Sequence, residues 1–119
     1  VDYIKERKQF GVAVGSFQAL QHRASHLYSE LEIARSAVLG ALTALDAGDP
    51  KADRYCSMAK AKLGDVAKLA ALEGVQMHGG VGMTDEYDIG LFLKRVRVLQ
   101  ELLGDAAYHQ NEHAKANKF

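Results

Sequence analysis

The sequence predicts an all-α fold, an up-and-down four-helix bundle, on the basis of three observations. Proline, which interrupts helices, occurs once in 119 residues. Helix-favouring Ala, Leu, Glu and Lys are abundant, and no run alternates β-branched with polar residues as a strand would. Apolar residues recur at steps of three and four, which places them on one face of a helix. We therefore expect one helical domain over residues 1–119.

The first predicted element is the end of a helix, in VDYIKERKQFG. This stretch has no initial Met and begins inside the helix, so we expect the chain to be a fragment of a longer protein. Arg7 and Lys8 would end the helix, where basic side chains complement its dipole, and Phe10 with Gly11 would open a turn. A functional interpretation is also open, because an Arg fork suits a phosphate and an aromatic ring stacks on a base.

A long helix is predicted from Phe17 to Leu45, since its apolar residues keep the helical spacing throughout. The stretch DAGDP should end it. Gly48 would take the left-handed conformation, Asp49 would cap the next helix and Pro50 would be that helix's first residue. Because the connection is short, the two helices should be antiparallel neighbours.

The second long helix carries small residues on one face, which would let another helix approach closely. It should run into a glycine-rich loop with glycines at 79, 80 and 82. The loop can be a simple helix end with Gly79 left-handed, or a bare backbone that approaches an anion. It is not a Rossmann fingerprint, since that motif follows a strand. The predicted packing face is Cys56, Ala59, Leu63, Val66, Ala70, Gly74 and Met77.

A third helical stretch follows the loop, with one break expected between Lys94 and Val98. Its apolar spacing continues to Ala106, and the polar tail from Asn111 to Phe119 is expected to fray. The residues that define the spacing are Ile89, Phe92, Val96, Leu99, Leu103 and Ala106.

Two pairs of histidines lie four residues apart, His22 with His26 and His109 with His113. The stretch HQNEH fits the H-x-x-E-H pattern of zinc peptidases, but such enzymes need a further acidic ligand well downstream. Only six residues follow His113. Exposed polar positions are the preferred interpretation. A structural or metal-binding bundle, in which these histidines converge or do nothing, remains as the alternative.

Charge and hydropathy exclude several classes of function. Fifteen basic and fifteen acidic residues give a formal net charge of zero, so no broad field favours nucleic acid or a membrane surface. Cys56 is the only cysteine, no stretch of roughly 18 apolar residues is present and there is no secretory leader. We expect a soluble, cytoplasmic protein in which any anion binding is local.

Three stretches taken in order resemble the C-terminal helical domain of the acyl-CoA dehydrogenases. They are ERKQFG, FQALQHRASHLYSELEIAR and AKAKLGDVAKLAALEGVQMHGGVGMTDEYDIGLFLKR. The similarity runs from about Tyr3 to His113, and its motifs R-K-x-F-G, F-Q and Q-x-x-G-G-x-G are specific in combination. The resemblance implies a four-helix bundle that forms the third domain of a longer flavoenzyme, after a helical domain and a β-domain.

In that family, the domain contacts the adenosine and pyrophosphate half of an FAD held mainly by a neighbouring subunit. By resemblance, Arg7 would pair with the pyrophosphate and Phe10 would pack near the adenine. Gln18 would hydrogen-bond the cofactor, while the Gln76 amide and the glycine backbone after it would meet phosphate and ribose. The implied cofactor-binding residues are Arg7, Phe10, Phe17, Gln18, Gln76, Gly79 and Gly80.

The resemblance also implies a reaction, the α,β-dehydrogenation of acyl-CoA thioesters in fatty-acid and lipid metabolism. Implied partners are the acyl-CoA, an electron-transfer acceptor and further subunits, in a tetramer of identical or paired different chains. The fragment alone should be inactive, because the flavin ring and acyl pocket depend on the other domains. A light-scattering mass above one chain is expected, since a bundle without its neighbours exposes apolar surface.

One departure from the family concerns the catalytic base. Many members carry Y-E-G-T-S where this chain has LQELLGDAAYH, so Leu103 stands at the position of the Glu that removes the α-proton. Three explanations are open: a Glu on the helix before Val1, a different subunit that completes the site, or Asp105 or Glu101 reaching in. We favour the paired subunit, and the resemblance assigns no catalytic residue to this chain.

Overall fold

The prediction of an all-α fold with four long helices is confirmed. A computed structural model describes all residues, 1–119, and places a short helix before the four long ones. Short 3-10 helices at Val14–Ser16 and Gly79–Met83 precede α2 and follow α3. No helix combines the length and the apolar character needed to cross a membrane. The helices are α1 (Asp2–Glu6), α2 (Gln18–Asp46), α3 (Ala52–His78), α4 (Ile89–Glu101) and α5 (Ala106–Ala116).

A short β-hairpin, absent from the sequence-based prediction, follows α1. Strands β1 (Lys8–Gln9) and β2 (Val12–Ala13) are antiparallel, with Lys8 opposite Ala13. Phe10 and Gly11 form the turn, with φ angles of 54° and 82°. Lys8 therefore lies in a strand, whereas we expected it in the last turn of the helix, which ends at Glu6.

Helix α3 is the central element of the domain. Helix α2 packs along it, and so do α4 and α5, which lie end to end on the C-terminal and N-terminal halves of α3. The molecule is correspondingly elongated, with extents of 57 × 26 × 25 Å. The ends of α3 therefore determine where the flanking segments meet.

The connection between α2 and α3 confirms the antiparallel pairing and corrects one boundary. Gly48 has a φ of 62°, the predicted left-handed conformation. The Asp49 carboxylate accepts a hydrogen bond from the Lys51 N–H at 2.7 Å. Helix α3 begins at Ala52 with Lys51 as its N-cap, so the predictions that Asp49 caps this helix and that Pro50 is its first residue are both wrong. The backbone bond from the Ala52 N–H to the Asp49 carbonyl, at 2.9 Å, closes the turn that contains Pro50.

The core consists mostly of alanine, which lets the helices approach closely. Val66 is the one large side chain that is almost completely buried, and Ala59 lies on the same predicted packing face. Leu63, on the same face, remains partly exposed beside Val96 and Leu99 of α4. The other buried residues of α2 and α3 are Ala34, Ala41, Ala44, Ala52, Ala61, Gly64 and Ala71.

The predicted break between Lys94 and Val98 is wrong. Helix α4 continues through these residues, and the chain instead turns after Glu101. Leu103 and Gly104 have φ angles of 61° and 102°, which a helix cannot accommodate. The polar tail is helical as far as Ala116.

Candidate functional site

A cavity of about 520 Å³ lies where α1 and β1 meet the end of α3 and the glycine turn. It contains four of the seven residues predicted to bind a cofactor: Arg7, Gln76, Gly79 and Gly80. Arg7 follows α1, whereas Gln76, Gly79 and Gly80 lie at the C-terminal end of α3, far away in the sequence. The fold therefore brings the basic stretch around Arg7 and the glycine-rich loop together.

Arg7 lies at the point where the chain leaves α1. Its N–H donates to the Tyr3 carbonyl at 2.8 Å, and its carbonyl accepts from the Val14 N–H at 2.8 Å. These two bonds fix the backbone between the helix and the hairpin. The guanidinium is exposed and forms no ion pair within the chain. It is therefore available to an anion in the cavity.

The end of α3 provides the facing wall. Gly79 caps the helix with a φ of 67°, a conformation that costs glycine little. A Cβ built at Gly79 or at Gly80 would meet no atom within 4 Å. The bare backbone here leaves room for a ligand, and the exposed Gln76 amide stands one turn before it.

Phe10, Phe17 and Gln18 lie outside the cavity. Phe10 is 89% exposed at the tip of the hairpin. Its ring packs edge to face with that of Phe17, at 6.1 Å between centroids. Gln18 is the exposed first residue of α2. Within one chain, the predicted residues thus fall into a cavity group and an exposed surface group.

Three aromatic residues beside the cavity were missed by the sequence analysis. The rings of Tyr3 and His78 stack at 4.2 Å, and Tyr87 contacts both. Tyr3 and His78 also line the cavity. His78 lies inside the glycine motif, between Gln76 and Gly79, and this position was the available signal.

The turn at Leu103 offers no free carboxylate. The Leu103 side chain is 83% exposed and apolar, so it cannot accept a proton. Asp105 caps α5, accepting from the Tyr108 N–H at 2.8 Å. Glu101 pairs with Arg97 at 3.2 Å on the surface of α4. Both acidic side chains near the turn therefore have partners within the chain.

The histidine pairs do not form a metal site. His109 Nε2 contacts the Leu103 carbonyl at 2.9 Å, and His113 Nδ1 contacts the Arg54 carbonyl at 3.0 Å. A ring nitrogen next to a carbonyl oxygen carries the proton and donates it. No group of three or more His, Cys, Asp or Glu side chains is placed to hold a metal ion. The bundle with converging histidines is therefore not favoured.

Residues 1–117 match the family model described as acyl-CoA dehydrogenase, C-terminal domain. The chain is 38% identical over 103 residues to acyl-CoA dehydrogenase IpdE2 of Mycobacterium tuberculosis, covering 87% of this chain and 30% of that protein. An acyl-CoA dehydrogenase structure from Geobacillus kaustophilus superposes with a TM-score of 0.93 at 29% identity, covering 99% of this chain and 31% of that one. The FAD complex of PigA superposes with a TM-score of 0.92 at 26% identity, covering 98% and 30%.

Proposed function

Because the chain belongs to the acyl-CoA dehydrogenase family, as its C-terminal domain, we propose that it is the FAD-binding and oligomerisation domain of a longer, three-domain enzyme. The chain spans about 30% of the curated relative's length. The FAD named for the similar PigA complex supports the choice of cofactor. We propose that this domain holds the adenosine and pyrophosphate half, while a neighbouring subunit holds the rest.

The observation that carries this proposal is the shared cavity of Arg7, Gln76 and the glycine turn. An arginine fork can form paired charge-assisted hydrogen bonds to a pyrophosphate. The Gln76 amide offers both a donor and an acceptor to a ribose or phosphate. Gly79 and Gly80 let the ligand approach the backbone, because no Cβ stands in the way.

The exposed group of residues fits a cofactor that continues out of the cavity. The Phe10 ring, at the tip of the hairpin, is accessible for contact with the adenine. Phe17 supports that ring from one side, and Gln18 adds a polar group at the start of α2. Such exposure suits a cofactor held between two chains, since the second chain would cover these side chains.

For the full-length enzyme, we propose α,β-dehydrogenation of an acyl-CoA thioester, with electrons passed on to an electron-transfer acceptor. FAD, when bound, supplies the hydride acceptor. Leu103 cannot act as the base, and Asp105 and Glu101 already have partners. The catalytic base would therefore come from outside this chain. Of the two sources, we propose a different, paired subunit and not a Glu upstream of Val1. A cytoplasmic location without nucleic acid or membrane partners completes the proposal.

The test is FAD retention by the full-length protein, measured from flavin absorbance and fluorescence. Arg7→Ala should weaken FAD binding about tenfold to a hundredfold, because a hydrogen bond to a charged group contributes about 1.5–3 kcal/mol. Lys8→Ala is the matched control. It removes the same charge one residue away, from a side chain that does not line the cavity. Purified protein without flavin, or equal retention by both variants, would refute the proposal.

A further inference from the structure

The aromatic cluster of Tyr3, His78 and Tyr87 joins two segments that carry the proposed cofactor ligands. Tyr3 and His78 stack at 4.2 Å between centroids with an interplanar angle of 24°. Tyr87 meets Tyr3 edge-on at 5.4 Å and His78 at 5.2 Å. The cluster therefore connects α1 with the end of α3 and with the segment after the glycine turn.

The imidazole of His78 is held in one orientation. Its Nδ1 lies 2.7 Å from the Gly74 carbonyl one turn earlier, so Nδ1 carries the proton and donates it. The chain also packs closely behind the residue, since a Cβ at Gly82 would meet His78 Cβ at 2.8 Å. The ring consequently presents a fixed face to Tyr3.

A continuous path of contacts leads from His78 to Arg7. Tyr3 stacks on the imidazole, and its hydroxyl donates to the His78 carbonyl at 3.2 Å. The Tyr3 carbonyl then accepts the Arg7 N–H at 2.8 Å. Each contact joins the next without a gap, although 75 positions separate Tyr3 from His78.

We propose that His78 is a positioning residue of the cofactor site, which acts through Tyr3 to hold Arg7 opposite Gln76 and the glycine turn. The proposal rests on the function proposed above, because Arg7 matters only if an anion binds there. Without His78, α1 loses its stacked partner at the end of α3. The Arg7 fork would then sample several positions, and its paired hydrogen bonds would form less often.

A double-mutant cycle on full-length protein tests this path. FAD dissociation constants are measured for wild type, Arg7→Ala, His78→Ala and the double variant. We expect His78→Ala alone to weaken FAD binding about threefold to tenfold, which corresponds to the usual contribution of one aromatic pair. In the Arg7→Ala background, His78→Ala should have almost no effect on FAD binding, because the guanidinium that His78 positions is already absent.

Two further variants separate stacking from folding. His78→Phe keeps a ring against Tyr3 while it removes the bond to Gly74, so it should restore most of the affinity. Tyr3→Phe keeps the stack and removes only the hydroxyl bond, so it should lose less than His78→Ala. His22→Ala, an exposed imidazole on α2, is the control and should leave FAD affinity unchanged. If His78→Ala does not fold, His78→Leu replaces it in the cycle.

The outcomes distinguish this inference from the function on which it rests. If Arg7→Ala leaves FAD binding unchanged, the proposed function itself fails. If Arg7→Ala weakens binding but the two substitutions are additive, His78 acts independently of Arg7 and the inference is refuted. A lower melting temperature of His78→Ala with an unchanged FAD dissociation constant would also refute it, because only a general structural role would remain.

Discussion

The glycines of this chain differ in what surrounds them, and Gly82 is closely enclosed by atoms that cannot easily move aside. A Cβ at this position would meet His78 Cβ at 2.8 Å and the Val75 carbonyl oxygen at 3.0 Å. Neither atom is the end of a flexible side chain. Gly40, within α2, has no atom within 4 Å of the corresponding point.

Gly82→Ala should therefore destabilise the domain by about 1–3 kcal/mol, the usual cost of overpacking. Gly40→Ala is the matched control, and it should stabilise the domain by roughly 0.5–1 kcal/mol because alanine favours helix. Urea unfolding of the purified variants measures both changes. Equal stability of the two variants would contradict this account of the glycine turn.

At the level of single residues, the chemistry of the side chain or bare backbone was enough to predict several residues that line the cavity. The Arg7 fork and the bare glycines were predicted from their chemistry and do line one cavity. Their binding of FAD stays a prediction. His78 was missed because its partners, Tyr3 and Tyr87, are distant from each other in sequence. No local pattern signals a stack between them.

At the level of the helices, two ion pairs connect α2 with α3. Arg23 contacts Glu73 through two hydrogen bonds of 2.7 and 3.0 Å, and Lys62 contacts Glu30 at 2.5 Å. Because the helices are antiparallel, the two pairs lie at different heights along the interface. Together they select one register between two faces that are otherwise rich in small residues.

The Glu30 pair makes the stability depend on pH. The hydrogen bond from Lys62 holds the pKa of the Glu30 carboxyl below its ordinary value of 4.5. A group whose pKa is lower in the folded state stabilises it above the unfolded pKa, and this contribution disappears as the pH falls through the folded pKa. The advantage of wild type over Glu30→Gln should thus be constant above about pH 4.5 and shrink below it.

Denaturant unfolding at a series of pH values checks this prediction. Glu32→Gln is the control, since Glu32 pairs with Arg35 on the same helix and makes no bond to α3. A difference between wild type and Glu30→Gln that stays constant down to the lowest pH would contradict it.

Apolar periodicity and stop signals predicted the end of α2 correctly but not the end of α4. The end of α2 was predicted because Gly48 followed by Asp49 and Pro50 is an unambiguous stop signal. The break after α4 was misplaced because the apolar spacing passes through Leu103 into α5 without interruption. The actual break depends on Gly104, where a Cβ would lie 2.5 Å from the Tyr108 ring. Gly104 and Tyr108 are only four residues apart, but the spacing of apolar residues carries no information about this contact.

At the scale of the whole molecule, the core is small for the length of the chain. Only 12 of 119 residues are buried, and many large apolar side chains are exposed. On α2, Leu39 is 62% exposed and Leu42 is also exposed, while Ala41 and Ala44 are buried against the rest of the domain. The helix thus has apolar residues on two sides, and a further chain or domain is expected to cover the outer one.

Leu39→Lys together with Leu42→Lys should therefore reduce the light-scattering mass of the full-length protein, because the charges oppose burial of that face. Ser29→Lys adds the same charge at an exposed polar position of α2 and serves as the control. A wild-type mass equal to one chain, or an unchanged mass in the double variant, would contradict the expected oligomer.

The fold class was accessible from the sequence because helix spacing and composition are local properties. The arrangement of the helices was only partly accessible. Periodicity indicates that α4 and α5 each have an apolar side, but not that both lie in line along α3. That arrangement depends on the left-handed turn at Leu103 and Gly104, which directs α5 onward along the same groove.

The central position of α3 has a consequence for how the chain folds. Helices α2 and α3 form a helical hairpin, which is one half of the domain. The other half consists of α4 and α5 packed on α3, so both halves share α3. Helix α3 contacts its sequence neighbours α2 and α4, whereas α5 reaches α3 across the intervening α4. No contact between major helices skips more than one of them, as is typical of helical bundles, whose low contact order favours rapid folding. We expect folding to begin in either half, with α3 providing the surface on which the remaining helices pack.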